Sequence, residues 1–177
     1  MTTVFIPDPS LVLLIGAAGA GKTTFAARHF APGEILSSDA FRAMLAGNEA
    51  DQAVSGRAFA ILHRELRRRL EAGRLAVVDA TNADRHHRRA LLRRAGAAGV
   101  PAVALVLALP ARVVLARNRT RSRQVDEVVV RTQLARVRRA LGATGLATEG
   151  YASVWVARTP DEADAVILER VTLPPTR

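Results

Sequence analysis

Short apolar runs alternate with segments whose apolar residues recur every three or four positions, and the alternation continues along most of the chain. Residues 10–15 (SLVLLI) read as a buried parallel strand, a short apolar run rich in β formers. Residues 22–30 then read as a helix that stops before Pro32-Gly33. A second short strand is expected at 34–38 and a short helix at 39–45. Residues 53–71 have helical spacing, with Phe59, Leu62, Leu66 and Leu70 on one face. A third strand at 75–79 ends in an acid, and a basic helix at 83–95 ends among Gly96 and Gly99. A fourth strand at 102–109 leads to Pro110 at a helix start. An arginine cluster at 117–123 and a helix from 126 to about 141 follow. Residues 153–156 and 165–168 are expected as late strands, the latter at an edge, and residues 1–9 and 172–177 as tails. Strand–helix alternation of this kind predicts an α/β fold with a mostly parallel sheet and helices on both faces.

The first strand and helix are joined by Gly16-Ala-Ala-Gly19-Ala-Gly21-Lys22-Thr23, a complete G-x-x-x-x-G-K-[ST] phosphate loop. Its glycines let backbone N–H groups turn inward as a nest, and the helix N-terminus adds partial positive charge. Gly16, Ala18, Gly19, Ala20, Gly21, Lys22, Thr23 and Thr24 are therefore the candidate nucleotide-binding residues. Lys22 would reach the β- and γ-phosphates, and the Thr23 hydroxyl would ligate Mg²⁺. Of 26 basic residues Lys22 alone is lysine; the rest are arginine. A loop wrapped around a triphosphate needs a compact ammonium on a thin stem, which a planar guanidinium does not supply.

Composition narrows the partner. The 177 residues suffice for one domain with a proper core. No apolar run is long enough for a membrane helix, and neither a signal peptide nor a cysteine is present, which fits a cytoplasmic protein. A formal charge of +10 points to polyanionic partners, although arginine richness also follows from codon composition.

A phosphate loop names the donor and not the reaction. Residues 36–42 (LSSDAFR) supply the acceptor side. Ser38 or Asp39 can cap the following helix, and Asp39 and Arg42 share a face one turn apart. At the carboxyl end of a strand this pair should face the γ-phosphate. There a carboxylate can take the proton of an attacking hydroxyl and the arginine can hold an anionic group on the substrate. A plain helix cap with a surface partner is the other reading. In Val77-Val78-Asp79-Ala80-Thr81-Asn82, Asp79 can hold Mg²⁺ directly or through water, with Thr81 and Asn82 at the same rim; a strand-ending turn would look similar. Arg117 and Arg121 are spaced to project together from a helix. A lid bearing them, at about 111–125, would neutralise charge on a transferring phosphoryl group.

In order along residues 10–141, these motifs resemble the polynucleotide 5′-kinase family, the P-loop kinase module of bacterial and phage end-healing enzymes. The resemblance implies a P-loop kinase fold, ATP as phosphate donor, Mg²⁺ and a 5′-hydroxyl end of RNA or DNA as acceptor. It makes Asp39 the general base, with Lys22, Arg117 and Arg121 acting on the donor phosphates. Arg42 would contact the acceptor phosphate, beside Ser38 and Asn82, and Val125 and Val129 would form an apolar wall against the terminal base. The region after Leu141 is similar only loosely. The expectation is a stand-alone kinase without membrane or obligate protein partner, since no phosphatase-like pair of acids is evident. His29 and His63 read as structural, and His86-His87 lacks ligand spacing. The rivals are a P-loop kinase acting on a small hydroxyl compound (sugar, nucleoside, antibiotic or nucleotide-sugar) and an ATP-dependent nucleic-acid-binding switch.

Overall fold

A parallel strand covered on both faces must send alternate side chains into two different cores. The computed structural model, which describes residues 2–46 and 55–173, has this arrangement. The chain runs β1 (Thr3–Asp8), β2 (Leu11–Ile15), α1 (Lys22–His29), β3 (Ile35–Ser37), α2 (Ser38–Ala46) and α3 (Ser55–Glu71). It continues with β4 (Ala76–Asp79), α4 (Arg85–Ala97), β5 (Ala102–Leu107), α5 (Ala111–Arg119), α6 (Glu127–Ala140), β6 (Ser153–Ala157), α7 (Pro160–Ala165) and β7 (Ile167–Thr172). Five strands form an all-parallel sheet in the order β3-β4-β2-β5-β6. In β2, Val12 and Leu14 join a core with Phe25 of α1 and Val114 of α5. Leu11, Leu13 and Ile15 join the opposite core, with Leu62, Leu66 and Leu70 of α3 and Leu91 of α4. The α/β architecture with helices on both faces is that expected from the sequence.

β2 lies between β4 and β5, and the chain leaves β2 and β4 on opposite faces of the sheet. A crevice therefore opens between their carboxyl ends. Asn82, just past β4, spans it: its side-chain N–H groups donate to Leu14 O at 2.8 Å and Val78 O at 3.2 Å. Its left-handed backbone (φ 47°) is one that asparagine tolerates better than most residues. Beneath it, buried Arg88 of α4 donates to Asn82 O and Ala83 O at 3.0 and 2.8 Å and makes a two-pronged pair with Glu149 at 2.6–2.8 Å. Both charges are almost wholly enclosed. The pair holds the post-β4 turn in place because removing either partner would strand a buried charge.

Three expectations need correction. Residues 3–8, read as part of a tail, form β1, with Val4 and Ile6 packed into the first core and the strand paired in parallel with β7. Thr172, read as the start of the other tail, is the last residue of β7, and residues 1 and 174–177 lie outside the described part. The last strand begins at Ile167, because Pro160–Ala165 is a helix; Thr159 caps it, accepting from Glu162 N–H at 3.2 Å, and Pro160 stands in its first turn. The helix expected from 53 is described only from Ser55. β1 escapes a local reading because its pairing partner lies some 160 residues downstream and its last residues, Pro7 and Asp8, look like a turn.

If β1 is part of the core, Ile6→Ala should lower stability by about 2–5 kcal/mol while Phe5→Ala, on the exposed face, changes it by less than about 0.5 kcal/mol. Denaturant unfolding reads both; equal, negligible effects would return the segment to a tail.

Candidate active site

The loop between β2 and α1 is shaped by its glycines and by what leans on them. Gly19 and Gly21 have φ of 87° and 93°. A Cβ on Gly19 would lie 2.6 Å from the Val114 carbonyl of α5, and one on Gly21 would lie 3.4 Å from an Arg117 guanidinium nitrogen. A side chain at Gly19 would push away the helix that leads to the arginine cluster, whereas at Gly21 the positive φ is the constraint. Gly16 N–H donates to Thr81 O at 3.1 Å, so the loop starts tied to the chain leaving β4.

Lys22 opens α1, and its Nζ donates to Gly16 O at 2.9 Å and Ala17 O at 3.0 Å. Burial pushes its ammonium down to about 8; the Asp79 carboxylate opposes that shift and Arg121 adds to it. The Thr23 hydroxyl donates to buried Asp79 Oδ2 at 2.8 Å. A hydroxyl and a carboxylate set side by side are hard oxygen donors, the set that Mg²⁺ selects. Ala18 N–H, on the same loop, donates to Gln133 Oε1 of α6 at 2.8 Å.

Asp39 lies in the first turn of α2. The N–H of Ala40 is taken by the Ser37 hydroxyl at 3.3 Å, so Ser37 does the capping that the sequence suggested for Ser38 or Asp39. Asp39 is instead ion-paired with Arg42 and stands 3.6 Å from Arg123. One open cavity of about 890 Å³ is lined by the loop from Ala18 to Thr24, by Ser38, Asp39 and Arg42, by Asp79 and Asn82, and by Arg117, Arg121, Arg123 and Val125. The fold thus brings all but two of the sequence candidates to the cavity wall. Gly16 lies behind it, packed against Leu107. Val129 is exposed on α6, away from the cavity. Asn82 lines the cavity, but its side-chain N–H groups are held by Leu14 O and Val78 O.

The lid segment is closed on itself by Asn118, whose side chain donates to Val125 O at 2.7 Å and accepts Val125 N–H at 3.1 Å. That ring holds residues 119–124 over the cavity, with Arg121 near enough to Lys22 to act on its titration. Sequence reasoning missed Gln133 and the Arg88–Glu149 support below; Arg123 was legible only as part of the arginine cluster, and Arg136 gave no signal specific to the cavity. Arg136 lines the cavity and stands 3.5 Å from Asp84. None of these carries a local signal beyond lying on a polar helix or in an arginine run.

A family model described as an AAA domain matches residues 11–142, three quarters of the chain. The chain belongs to this AAA domain family. Solved structures with the same fold include a chain of the Pnkp1/Rnl/Hen1 RNA repair complex, with TM-score 0.61 and 20% identity over 76% of this chain and 45% of that one. A sugar kinase from Janibacter matches with TM-score 0.55 and 22% identity over 88% and 90%. A gluconokinase from Sinorhizobium meliloti matches with 0.52 and 17% over 89% and 91%. Identities this low speak for the fold alone, which is that of P-loop kinases. No curated protein sequence matches significantly. None of the described helices of this AAA domain is long and apolar enough to cross a membrane.

The lowered Lys22 value gives a test with a defined sign. A bound triphosphate restores the ammonium, so binding at about pH 8.5 should take up about three quarters of a proton, whereas at about pH 6.5 Lys22 is already charged and uptake vanishes. Calorimetry in buffers of different ionisation heat measures this. Uptake that persists unchanged in Lys22→Met would show the proton goes elsewhere.

Proposed function

We propose that the protein is an ATP- and Mg²⁺-dependent polynucleotide 5′-hydroxyl kinase, transferring the γ-phosphate to a 5′-OH end of RNA or DNA. The observation that carries this reading is the pairing of Asp39 with Arg42 and Arg123 in the cavity that Lys22 also lines. Asp39 presents a carboxylate oxygen at the cavity wall where a hydroxyl's proton can be taken, and the guanidiniums beside it suit an acceptor that itself carries phosphate. Lys22 and Arg28, Arg42, Arg117, Arg121, Arg123 and Arg136 line the cavity with Asp39, Asp79, Asp84 and Asp164, a positive excess that suits an acceptor carrying phosphate.

The chemistry follows from the positions. The 5′-oxygen forms its bond to the γ-phosphorus as its proton passes to an Asp39 carboxylate oxygen. The bond from the γ-phosphorus to the β–γ bridging oxygen breaks, and ADP leaves with that electron pair. Lys22 and the loop amides hold the donor phosphates, while Arg117 and Arg121 offset charge on the transferring group. Thr23 and Asp79 would hold Mg²⁺, which neutralises phosphate charge when bound. Arg42 holds the acceptor's next phosphate, and Val125 contributes an apolar surface for its terminal base; Val129 stands outside the cavity and would reach a base only from its rim.

A second reading, a kinase for a small hydroxyl compound, draws on Phe59 and His87, which wall the acceptor side of the cavity and would enclose a compact substrate.

The deciding experiment is transfer of labelled γ-phosphate to a short 5′-OH oligonucleotide, with a 5′-phosphorylated copy and sugar or nucleoside acceptors alongside. Label should enter the 5′-OH strand and fall by about 10²–10⁴-fold in Asp39→Ala. Arg42→Ala should raise the acceptor KM by about 10- to 100-fold. Label on the small acceptors alone would establish the second reading, and ATP binding without transfer to any of them would favour a non-catalytic nucleotide switch.

A further inference from the structure

Gln133 of α6 is at the cavity wall, and its role has no counterpart among the sequence motifs. Its Oε1 accepts Ala18 N–H at 2.8 Å, while the carbonyl of that same peptide unit, Ala17 O, accepts from Lys22 Nζ at 3.0 Å. One peptide plane of the phosphate loop therefore carries the lysine on one edge and the glutamine on the other. A carboxamide has an acceptor end and a donor end. With Oε1 committed to the loop, the orientation of Nε2 is set, and among the described residues its N–H groups meet no protein acceptor. Nε2 is not a buried orphan either; it is accessible, on a residue that lines the cavity.

We infer that Gln133 is a phosphate-binding residue on the donor side, its Nε2 donating to the terminal phosphate of the nucleotide in the loop. The inference rests on the triphosphate reading of that loop and is independent of which hydroxyl accepts. Amides at the start of α1 take the inner phosphates. Gln133 bonds to the loop itself and lines the cavity together with Arg117 and Arg121, the arginines assigned above to the donor phosphates. A neutral donor pair fits among so many arginines because it adds directionality without more charge repulsion.

The bond to Ala18 also has a plainer meaning, a tether between α6 and the loop, and substitution separates the two roles. Gln133→Glu keeps an acceptor for Ala18 N–H but replaces the donor with negative charge beside the phosphate. Gln133→Lys keeps a donor and loses the acceptor. Equilibrium titration with Mg·ATP and Mg·ADP reads the difference, with thermal unfolding of each variant as the control for folding. In Gln133→Glu the ATP affinity should fall about 10- to 100-fold more than the ADP affinity, and Gln133→Lys should keep an ATP preference near that of the wild type. An unchanged ATP-to-ADP ratio in Gln133→Glu, or an equal loss for both nucleotides, would overturn the assignment and leave the tether. A wild-type protein that binds neither nucleotide would overturn the loop reading and this one together.

Discussion

The cleft depends on the divergence of β2 and β4 at their carboxyl ends. Two adjacent parallel strands whose continuations leave on opposite faces must open a gap, and in this protein the backbone of the gap is pinned rather than loose. Asn82 bonds across it to both strands, and Arg88 and Glu149 secure the turn from beneath. The result is a rigid floor from which Thr23 and Asp79 meet at 2.8 Å. Polar groups held at such a floor need no reorganisation when a charged ligand arrives, and preorganisation of this kind is how folds stabilise developing charge.

Over that floor the charges are arranged unevenly. Lys22 is pushed toward neutrality by its enclosure, with Arg121 adding to the pressure and Asp79 only partly offsetting it. Asp39, at the cavity wall, is paired with guanidiniums from two different segments, α2 and the lid. So many positive charges around one cavity repel one another, and a polyphosphate relieves that repulsion. The close packing of α5 on Gly19 and the Gln133 bond from α6 tie both ends of the lid to the phosphate loop. Loop and lid are thereby mechanically linked.

The parts that could be read from the chain were those with local causes. The Gly16–Thr23 loop is contiguous, and β2, β5 and β4 up to its final Asp79 are apolar runs because both faces of each are covered. The nearness of Asp39 and Arg42 follows from a three-residue helical spacing. What escaped was set by distant partners. β1 is a strand only because β7 lies beside it, and Gln133 matters only because α6 passes the loop. Asn82 could be placed at the rim, yet its commitment to Leu14 and Val78 requires the sheet order. The α7 helix was the exception: Thr159-Pro160-Asp161-Glu162 carries a start signal in plain view, passed over because the segment is so short.

Direct transfer is the central claim, with Asp39 acting as a base and never as a phosphate carrier. The stereochemical course at phosphorus tests it most directly, using ATP made chiral at the γ-position and the acceptor that takes label. A single in-line displacement predicts inversion of configuration. Retention would mean two successive displacements through a phosphorylated protein side chain, and would contradict a role for Asp39 as base alone.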